Sequence, residues 1–512
     1  MHFDALKSSR VLSLDALAGH VRELKASHKT IVHCHGVFDL LHIGHIRYLK
    51  QARSLGDVLV VTITPDRYVD KGPHRPAFTE ILRAEAVASL GVVDYVAINE
   101  WPTAEETLKL LRPTYYVKGA EYKSIDTDPT GKIGLEADVA RELGVEIKFI
   151  DDIVFSSTNL INRFLSSLPD EIQDYLSILK QRYTLDQIVQ VLDQMASLEV
   201  AIVGDTILDE YQYCTAIGKS SKDPVLAVKY QSKDLFVGGV LAVANHIANF
   251  TRKVHLFTPL GELDSHEEFI REKLAPNVEP YFSFQAGAPT LIKRRILDAY
   301  STTKLMEIYV MDDSGLDKAR DEAFQAAILD TLPQCDLTVA ADFGHGAISP
   351  ATVKVLSQNA SYLTAMAQAN AGNRGFNTIT KYPRLDYFCL AAHELQLEMR
   401  KCKGSLRSML KKAAARTKTS RAVVTCGRQG SIAWSKDEGF NEAPSMTSRV
   451  IDRIGAGDAF FSISSLCAVL NIPNDLLGLL GNIAGGIAVE TIGNQKAVDP
   501  MIVKKHLTSY FK

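Results

Sequence analysis

The sequence predicts two successive α/β domains, each a parallel sheet wrapped by helices, with a helical connector between them. Three observations predict this. Apolar runs of strand length alternate with segments of helical spacing from Thr30 to Ile150, and again from Val200 onward. Residues 166–198 are charged, amphipathic and helical in pattern, without the Gly and Ser content of a flexible linker. A chain of 512 residues also exceeds what one hydrophobic core organises. The expected division is 1–165, 166–198 and 199–512.

In order, Leu14 to Lys25 reads as a helical lead-in and Thr30 to His35 as a buried strand. Ile46 to Leu55 is the next helix and Val58 to Ile63 the next strand. Helix Thr79 to Leu90, strand Tyr95 to Ile98, helix Ala104 to Leu111 and strand Tyr115 to Lys118 follow. Helix Leu135 to Leu143 and strand Glu146 to Ile150 complete a doubly wound, Rossmann-like sheet. Ligands of such sheets lie beyond the carboxyl ends of the strands. Four polar clusters fall at such ends. The first is Gly36-Val37-Phe38-Asp39-Leu40-Leu41-His42-Ile43-Gly44-His45, between strand and helix. Free N–H groups and the helix dipole favour an anion there, and Gly44 lets a phosphate approach the backbone. An imidazole pair at this junction can stabilise charge developing on phosphorus. Helix capping, or a metal cluster with His33, Cys34 and His35, are the alternatives; the metal requires donors on strand, loop and helix to converge. The other clusters are Lys71 to Pro76 with Arg83, Lys118 to Tyr122, and Phe155 to Asn159 at the opening of the last helix.

Gly-x-Phe-Asp-x-x-His-x-Gly-His resembles the signature of the cytidylyltransferase-like nucleotidyltransferases. Arg75-Pro76-Ala77-Phe78 and Val117 to Tyr122 are most similar to the nucleotidyltransferase half of bifunctional heptose-7-phosphate kinase/heptose-1-phosphate adenylyltransferases. The resemblance implies that His42 and His45 stabilise the α-phosphate transition state. It further implies that Gly36, Phe38, Lys118 and Gly119 border the nucleotide and that Lys71 and Arg83 hold phosphates. Ser157 and Thr158 would contact the triphosphate, bridged by Mg²⁺, while a sugar phosphate attacks the α-phosphorus directly.

The second α/β pattern opens with Val200 to Gly204, followed by Asp205 and Asp209. Alternating runs Glu210 to Tyr213 and Val225 to Tyr230 suit a small sheet covering a site. Gly238-Gly239 precedes a helix, Val240 to Phe250, and further strands include Asp336 to Ala341 and Arg421 to Thr425. Near the end, Gly455-Ala456-Gly457 offers successive N–H groups at a helix N-terminus, and Asp458 stands beside them to accept a proton from a hydroxyl.

With Gly238-Gly239 and Thr425-x-Gly427-x-x-Gly430, this pattern resembles the PfkB (ribokinase-like) carbohydrate kinases over residues ~199–510. The resemblance implies Asp458 as base and Gly455, Ala456 and Gly457 as anion hole. It places Gly427, Gly430 and Asn482 at the nucleotide, and Asp205, Asp209, Gly238 and Gly239 at the sugar. The domain order is the reverse of the familiar fusion. Ala242 stands where the family places a sugar-binding Asn. His393-Glu394-Leu395-Gln396 replaces Asn-Glu-x-Glu, leaving Glu394 to organise Mg²⁺ through water. Asn370 to Asn377, with Asn373 and Arg374, is either an anion-binding loop or a turn.

Two functions are expected from these resemblances: ATP-dependent phosphorylation of a sugar phosphate, and nucleotidyl transfer from ATP or CTP to a sugar 1-phosphate. The alternative is a nucleotidyltransferase fused to a non-catalytic, kinase-like binding domain. A net charge of −3 offers no basic field for nucleic acid or acidic membrane. Seven scattered cysteines without a C-x-x-C pair fit a reducing compartment, and Met1 to Arg10 lacks the apolar core of a signal peptide. The expectation is a cytoplasmic homodimer acting on small molecules.

Overall fold

The computed structural model describes residues 9–69, 75–119, 132–150, 168–447 and 450–511. The chain divides into two compact units, one of residues 1–168 with 505–512, the other of residues 169–504. The helical segment expected as a connector, Asp170–Arg182 and Leu185–Met195, is counted with the second unit. Its attachment there is polar as well as apolar. Tyr175 donates to the Asp475 carbonyl at 2.8 Å, and Tyr183 donates to the Asp475 carboxylate.

The first unit carries a six-stranded parallel sheet of β1 (Val11–Leu12), β2 (Ile31–Gly36), β3 (Val58–Ile63), β4 (Tyr95–Ile98), β5 (Tyr115–Gly119) and β6 (Glu146–Ile150). Its order is β1-β4-β3-β2-β5-β6. The chain winds outward from β2 through β3 in one direction and through β5 in the other, so the sheet reverses between β2 and β5. That crevice, beyond the carboxyl ends of the strands, is where such sheets take ligands. The run Ile31 to Cys34 is fully buried because helices cover both faces of a parallel sheet.

The second unit is built on nine strands: β7 (Glu199–Gly204), β10 (Lys253–Leu263), β11 (Val278–Pro289), β14 (Leu337–Asp342), β15 (Leu363–Ala367), β16 (Tyr387–Ala391), β17 (Arg421–Thr425), β18 (Ser431–Ser435) and β19 (Gly439–Ala443). Their order, β11-β10-β7-β14-β15-β16-β17-β18-β19, reverses between β7 and β14. A separate sheet of β13 (Lys304–Val310), β12 (Ile292–Asp298), β8 (Thr206–Lys219) and β9 (Leu226–Gly239) forms the small lid. Of the two short runs read from sequence, Glu210 to Tyr213 lies inside one 14-residue strand and Val225 to Tyr230 opens the other, which Gly238-Gly239 closes. Gly238 has to be glycine, because a Cβ there would collide with the Asp209 carboxylate. None of the described helices is long and apolar enough to cross a membrane.

Candidate active sites

In the first unit, β2 delivers the chain to the reversal point and the helix Ile43–Arg53 starts with His42 as its N-cap. The His42 Nδ1 accepts the Gly44 N–H at 3.1 Å, which fixes the ring and leaves Nε2 as the N–H of the neutral imidazole. Burial lowers the His42 pKa, favouring that neutral form. The His45 ring lies 4.1 Å from it, centroid to centroid, and 5.4 Å from Phe38, whose backbone turns through a left-handed φ of +48°. Asp39, also buried, accepts from Arg75 Nε and from the Ala77 N–H, both at 2.6 Å, and so ties the histidine loop to the 75–78 segment. Both terminal nitrogens of Arg75 are buried without a partner among the described residues.

His33 and His35 are core residues that share one hydroxyl. Thr62 Oγ1 lies 2.8 Å from His33 Nε2 and 2.8 Å from His35 Nδ1. Burial, with the neighbouring His35, holds the His33 pKa near 3, so its ring is neutral.

Arg83 differs from its expected phosphate role. It is 1% exposed and donates to the carbonyls of Phe78, Val37 and Thr64 and to the Asp66 carboxylate at 2.7 Å. A guanidinium so occupied fastens loops. Arg83→Lys is therefore expected to lower stability by about 2 kcal/mol or more, since a compact ammonium with three donors cannot span these four separated acceptors. Urea unfolding checks it; an equally stable variant with weakened triphosphate binding would return Arg83 to the phosphate. Lys118 lies 2.7 Å from Glu136, which also accepts from the Tyr116 hydroxyl and the Ala104 N–H. Burial alone would raise the Glu136 pKa, but Lys118 draws it down to about 2. Glu136 escaped the sequence reasoning, having no motif around it. Lys71, Ser157 and Thr158, with the helix expected after Asn159, lie outside the described residues.

In the second unit a cavity of 290 Å³ lies beneath the lid. Asp209, Lys293 and Arg295 line it from the lid strands, and Gly455, Gly457 and Asp458 from the opening of the helix Ala456–Val469. Gly455 takes φ +84°, and a side chain there would strike Asn494. A side chain at Gly457 would meet nothing within 4 Å, so the space beside the first N–H groups of the helix, which have no intrahelical acceptor, is open. Burial, reinforced by the charge of Asp209, pushes the Asp458 carboxyl up to about 7. Glu394 lines the same cavity. It accepts from the N–H groups of Ala369 at 3.2 Å and Ala391 at 2.7 Å, and burial raises its pKa to about 7. Each carboxylate oxygen keeps a further lone pair, and an oxygen donor of this kind suits a hydrated hard cation such as Mg²⁺. Gly427 (φ +58°) and Gly430 (φ +82°) flank the turn after β17, and a side chain at 430 would strike the Ala443 carbonyl.

Asp205 and Asn482 lie differently from expectation, and the 370–377 segment is organised as the turn, one of its two readings. Asp205 does not line the cavity: its two oxygens accept the N–H groups of Phe343 and Ala347, each at 2.9 Å, holding the loop after β14. Burial, with the charge of Asp342, raises it to about 6. Asn373 donates to the Phe343 and Gln368 carbonyls and accepts from the N–H groups of Asn370 and Gly375, so its segment is a stitched turn. Arg374, exposed at φ +50° on that turn, does not line the cavity. Asn482 donates to Ser431 Oγ of β18 and to the Gly478 carbonyl, so its amide nitrogen joins its helix to that strand. Ala242 is 2% exposed in the helix Val240–Ala248.

Sequence reasoning also passed over Asp452. This buried carboxylate accepts from Tyr211 of β8 at 2.6 Å, from Lys304 of β13 at 2.6 Å and from the Gly493 N–H at 3.1 Å. It ties two lid strands to the segment that turns into Gly455. Lys293 and Arg295 were missed too, although Lys-x-Arg in a strand puts both on one face.

A lid over a cavity at the sheet reversal, with a carboxylate beside bare helix N–H groups, is the architecture of a sugar-kinase domain. Residues 197–499 match the model of the pfkB family carbohydrate kinases, and residues 33–163 match a cytidylyltransferase-like model. The chain belongs to the pfkB family of carbohydrate kinases, with a cytidylyltransferase-like domain in front. Phosphofructokinase-2 from Escherichia coli, in a structure with potassium, aligns over 62% of this chain and 100% of its own at TM-score 0.51 and 13% identity, a likeness of fold. A point mutant of the same enzyme gives a TM-score of 0.50 over the same shares of the two chains. Among curated relatives, the bifunctional protein HldE of Geobacter metallireducens is 38% identical over 168 residues, and that of Aliarcobacter butzleri 43% over 137. The matches cover 32% and 27% of those proteins' own length and 32% and 26% of this chain, in its N-terminal part.

Proposed function

We propose that the chain is a bifunctional sugar-activating enzyme, phosphorylating a sugar phosphate in the second unit and nucleotidylating a sugar 1-phosphate in the first. The observation that carries the kinase is Asp458, a carboxylate poised near 7 in a cavity floored by bare helix N–H groups. Asp458 takes the proton of the acceptor hydroxyl as its oxygen attacks the γ-phosphorus, and ADP leaves. The N–H groups at Gly455 to Gly457 hold the transferring group. Glu394 would hold the water around Mg²⁺, which when bound would neutralise phosphate charge. Asp209, Gly238 and Gly239 shape the sugar side; Gly427 and Gly430 shape the nucleotide side.

In the first unit, a phosphate oxygen of the sugar 1-phosphate attacks the α-phosphorus of ATP or CTP and pyrophosphate leaves. His42 Nε2–H and His45 meet the charge that builds on the α-phosphate. Gly36, Phe38 and Gly119 line the nucleotide's approach, Lys118 acts from its pair with Glu136, and Arg75, with two buried nitrogens to offer, takes the phosphate role expected of Arg83. Lys71, Ser157 and Thr158 complete the triphosphate site. The kinase acceptor is a heptose 7-phosphate phosphorylated at C1, and the enzyme works as a cytoplasmic homodimer.

The reading is tested by incubating the full chain with a panel of sugar phosphates and each NTP, resolving ADP from pyrophosphate. Both products are expected, each with its own acceptor. A second reading, a kinase-like domain that binds without turnover, is favoured by Gln396, which donates to the Cys402 carbonyl instead of adding a second carboxylate. Pyrophosphate without ADP from any acceptor at millimolar Mg²⁺, with ATP or sugar still bound, would establish it.

A further inference from the structure

We propose that Lys293 binds the phosphate group of the acceptor sugar in the kinase cavity, an inference that rests on the kinase reading above. Lys293 and Arg295 stand two residues apart on β12, so both face the cavity they line. β12 runs parallel to β8, with Lys293 opposite Asp209, and antiparallel to β13, with Arg295 opposite Glu307. The two cations are nevertheless treated differently. Arg295 is ion-paired on both sides, to Asp209 and, at 3.1 Å, to Glu307. Lys293 has no hydrogen-bond or ion-pair partner among the described residues, although it is only 5% exposed. Its ammonium lies over the Tyr309 ring, 5.2 Å from the centroid.

Burying an ammonium without a counter-ion is costly, and burial accordingly lowers the Lys293 pKa. The nearby charges of Asp209 and Glu307 offset part of that cost, but both are shared with Arg295. Asp209 is already ion-paired to Arg295, and among the described residues neither Asp458 nor Glu394 forms an ion pair with the ammonium. The ammonium is left for an anion that enters with the ligand. A compact, rotatable ammonium suits a phosphate monoester held as a point charge.

Two phosphates meet in such a cavity, the acceptor's and the γ-phosphate of ATP. Lys293 lies on the lid, on the strand beside Asp209, whereas the bare N–H groups at Gly455 to Gly457 belong to the opening of a helix. The lid side is the sugar side, which assigns Lys293 to the acceptor.

The test uses the full chain as Lys293→Met and Lys293→Arg. Steady-state kinetics with hexose 6-phosphates and heptose 7-phosphate are combined with calorimetric titration of the same sugar phosphates without ATP. Acceptor KM and Kd are expected to rise ~10–100-fold in Lys293→Met, the loss of one charge-assisted hydrogen bond, and to recover in part in Lys293→Arg. The KM for ATP should stay within about threefold. The thermal midpoint of Lys293→Met should equal or exceed that of the parent, since an uncompensated charge has been removed. An unchanged acceptor KM and Kd overturns the inference, as does a rise confined to ATP, which would place the ammonium on the γ-phosphate. A lowered midpoint overturns it too, by showing a structural role. If the parent makes no ADP with any acceptor, the kinase reading fails. The calorimetric comparison then stands alone: sugar-phosphate binding weakened in Lys293→Met upholds the phosphate site, and equal or absent binding overturns it.

Discussion

Asp458→Asn is expected to cut ADP formation by ~10²–10⁴-fold with little change in acceptor KM. Asparagine keeps the size of the side chain and most of its hydrogen bonding but cannot take a proton. Asp458 and Glu394 are the two carboxylates of the cavity free of an ion pair, and Glu394 already holds two backbone N–H groups, so no neighbour is placed to replace the base. The pH profile gives a second signature. Because burial and Asp209 raise the Asp458 pKa to about 7, the free enzyme gains active base as pH rises through 7, and kcat/KM for the kinase should climb across that window. Asp458→Asn should leave a residual rate without that rise. Glu394 titrates in the same window, so Glu394→Gln is the companion. It should raise the Mg²⁺ requirement while leaving a pH-dependent rate. Undiminished ADP formation in Asp458→Asn would sink the assignment.

The parts of these sites legible in the sequence were those carried on contiguous residues. Gly36 to His45 and Gly455 to Asp458 each join an element end to a helix start, so backbone geometry and side-chain chemistry come as one string. Side chains brought together by sheet register were not legible. Lys293 lies opposite Asp209 only because β12 pairs with β8, and Lys304 reaches Asp452 only because β13 closes the lid. The misplacements share one physical cause. Arg83, Asp205, Asn373 and Asn482 carry polar groups suited to ligands, and the same groups satisfy buried backbone donors and acceptors equally well. Which way such a side chain faces depends on the loops around it, and sequence spacing does not encode that. Asp205 shows the point: at the carboxyl end of β7 it sits where a sugar ligand belongs, yet its oxygens close the turn after β14.

Replacing His42 or His45 by Ala is expected to lower pyrophosphate release by ~10²-fold or more, the cost of one transition-state donor. The His42 effect has a geometric reason. Its Nδ1 is committed to the Gly44 N–H, so in the neutral ring Nε2 carries the proton, a donor on the N-cap residue of a helix. His42→Gln separates donor chemistry from capping. Glutamine offers an amide donor but not the ring's fixed direction, so it should recover only part of the rate. Burial already favours the neutral His42 ring, so acid should protonate it and break the Gly44 bond, and pyrophosphate release should fall at low pH. ADP formation, read on the same preparations, should survive both alanine variants, because the histidines and Asp458 lie in separate units. Loss of both activities together in a folded variant would mean that the two sites depend on each other, and the two-site model would have to be abandoned.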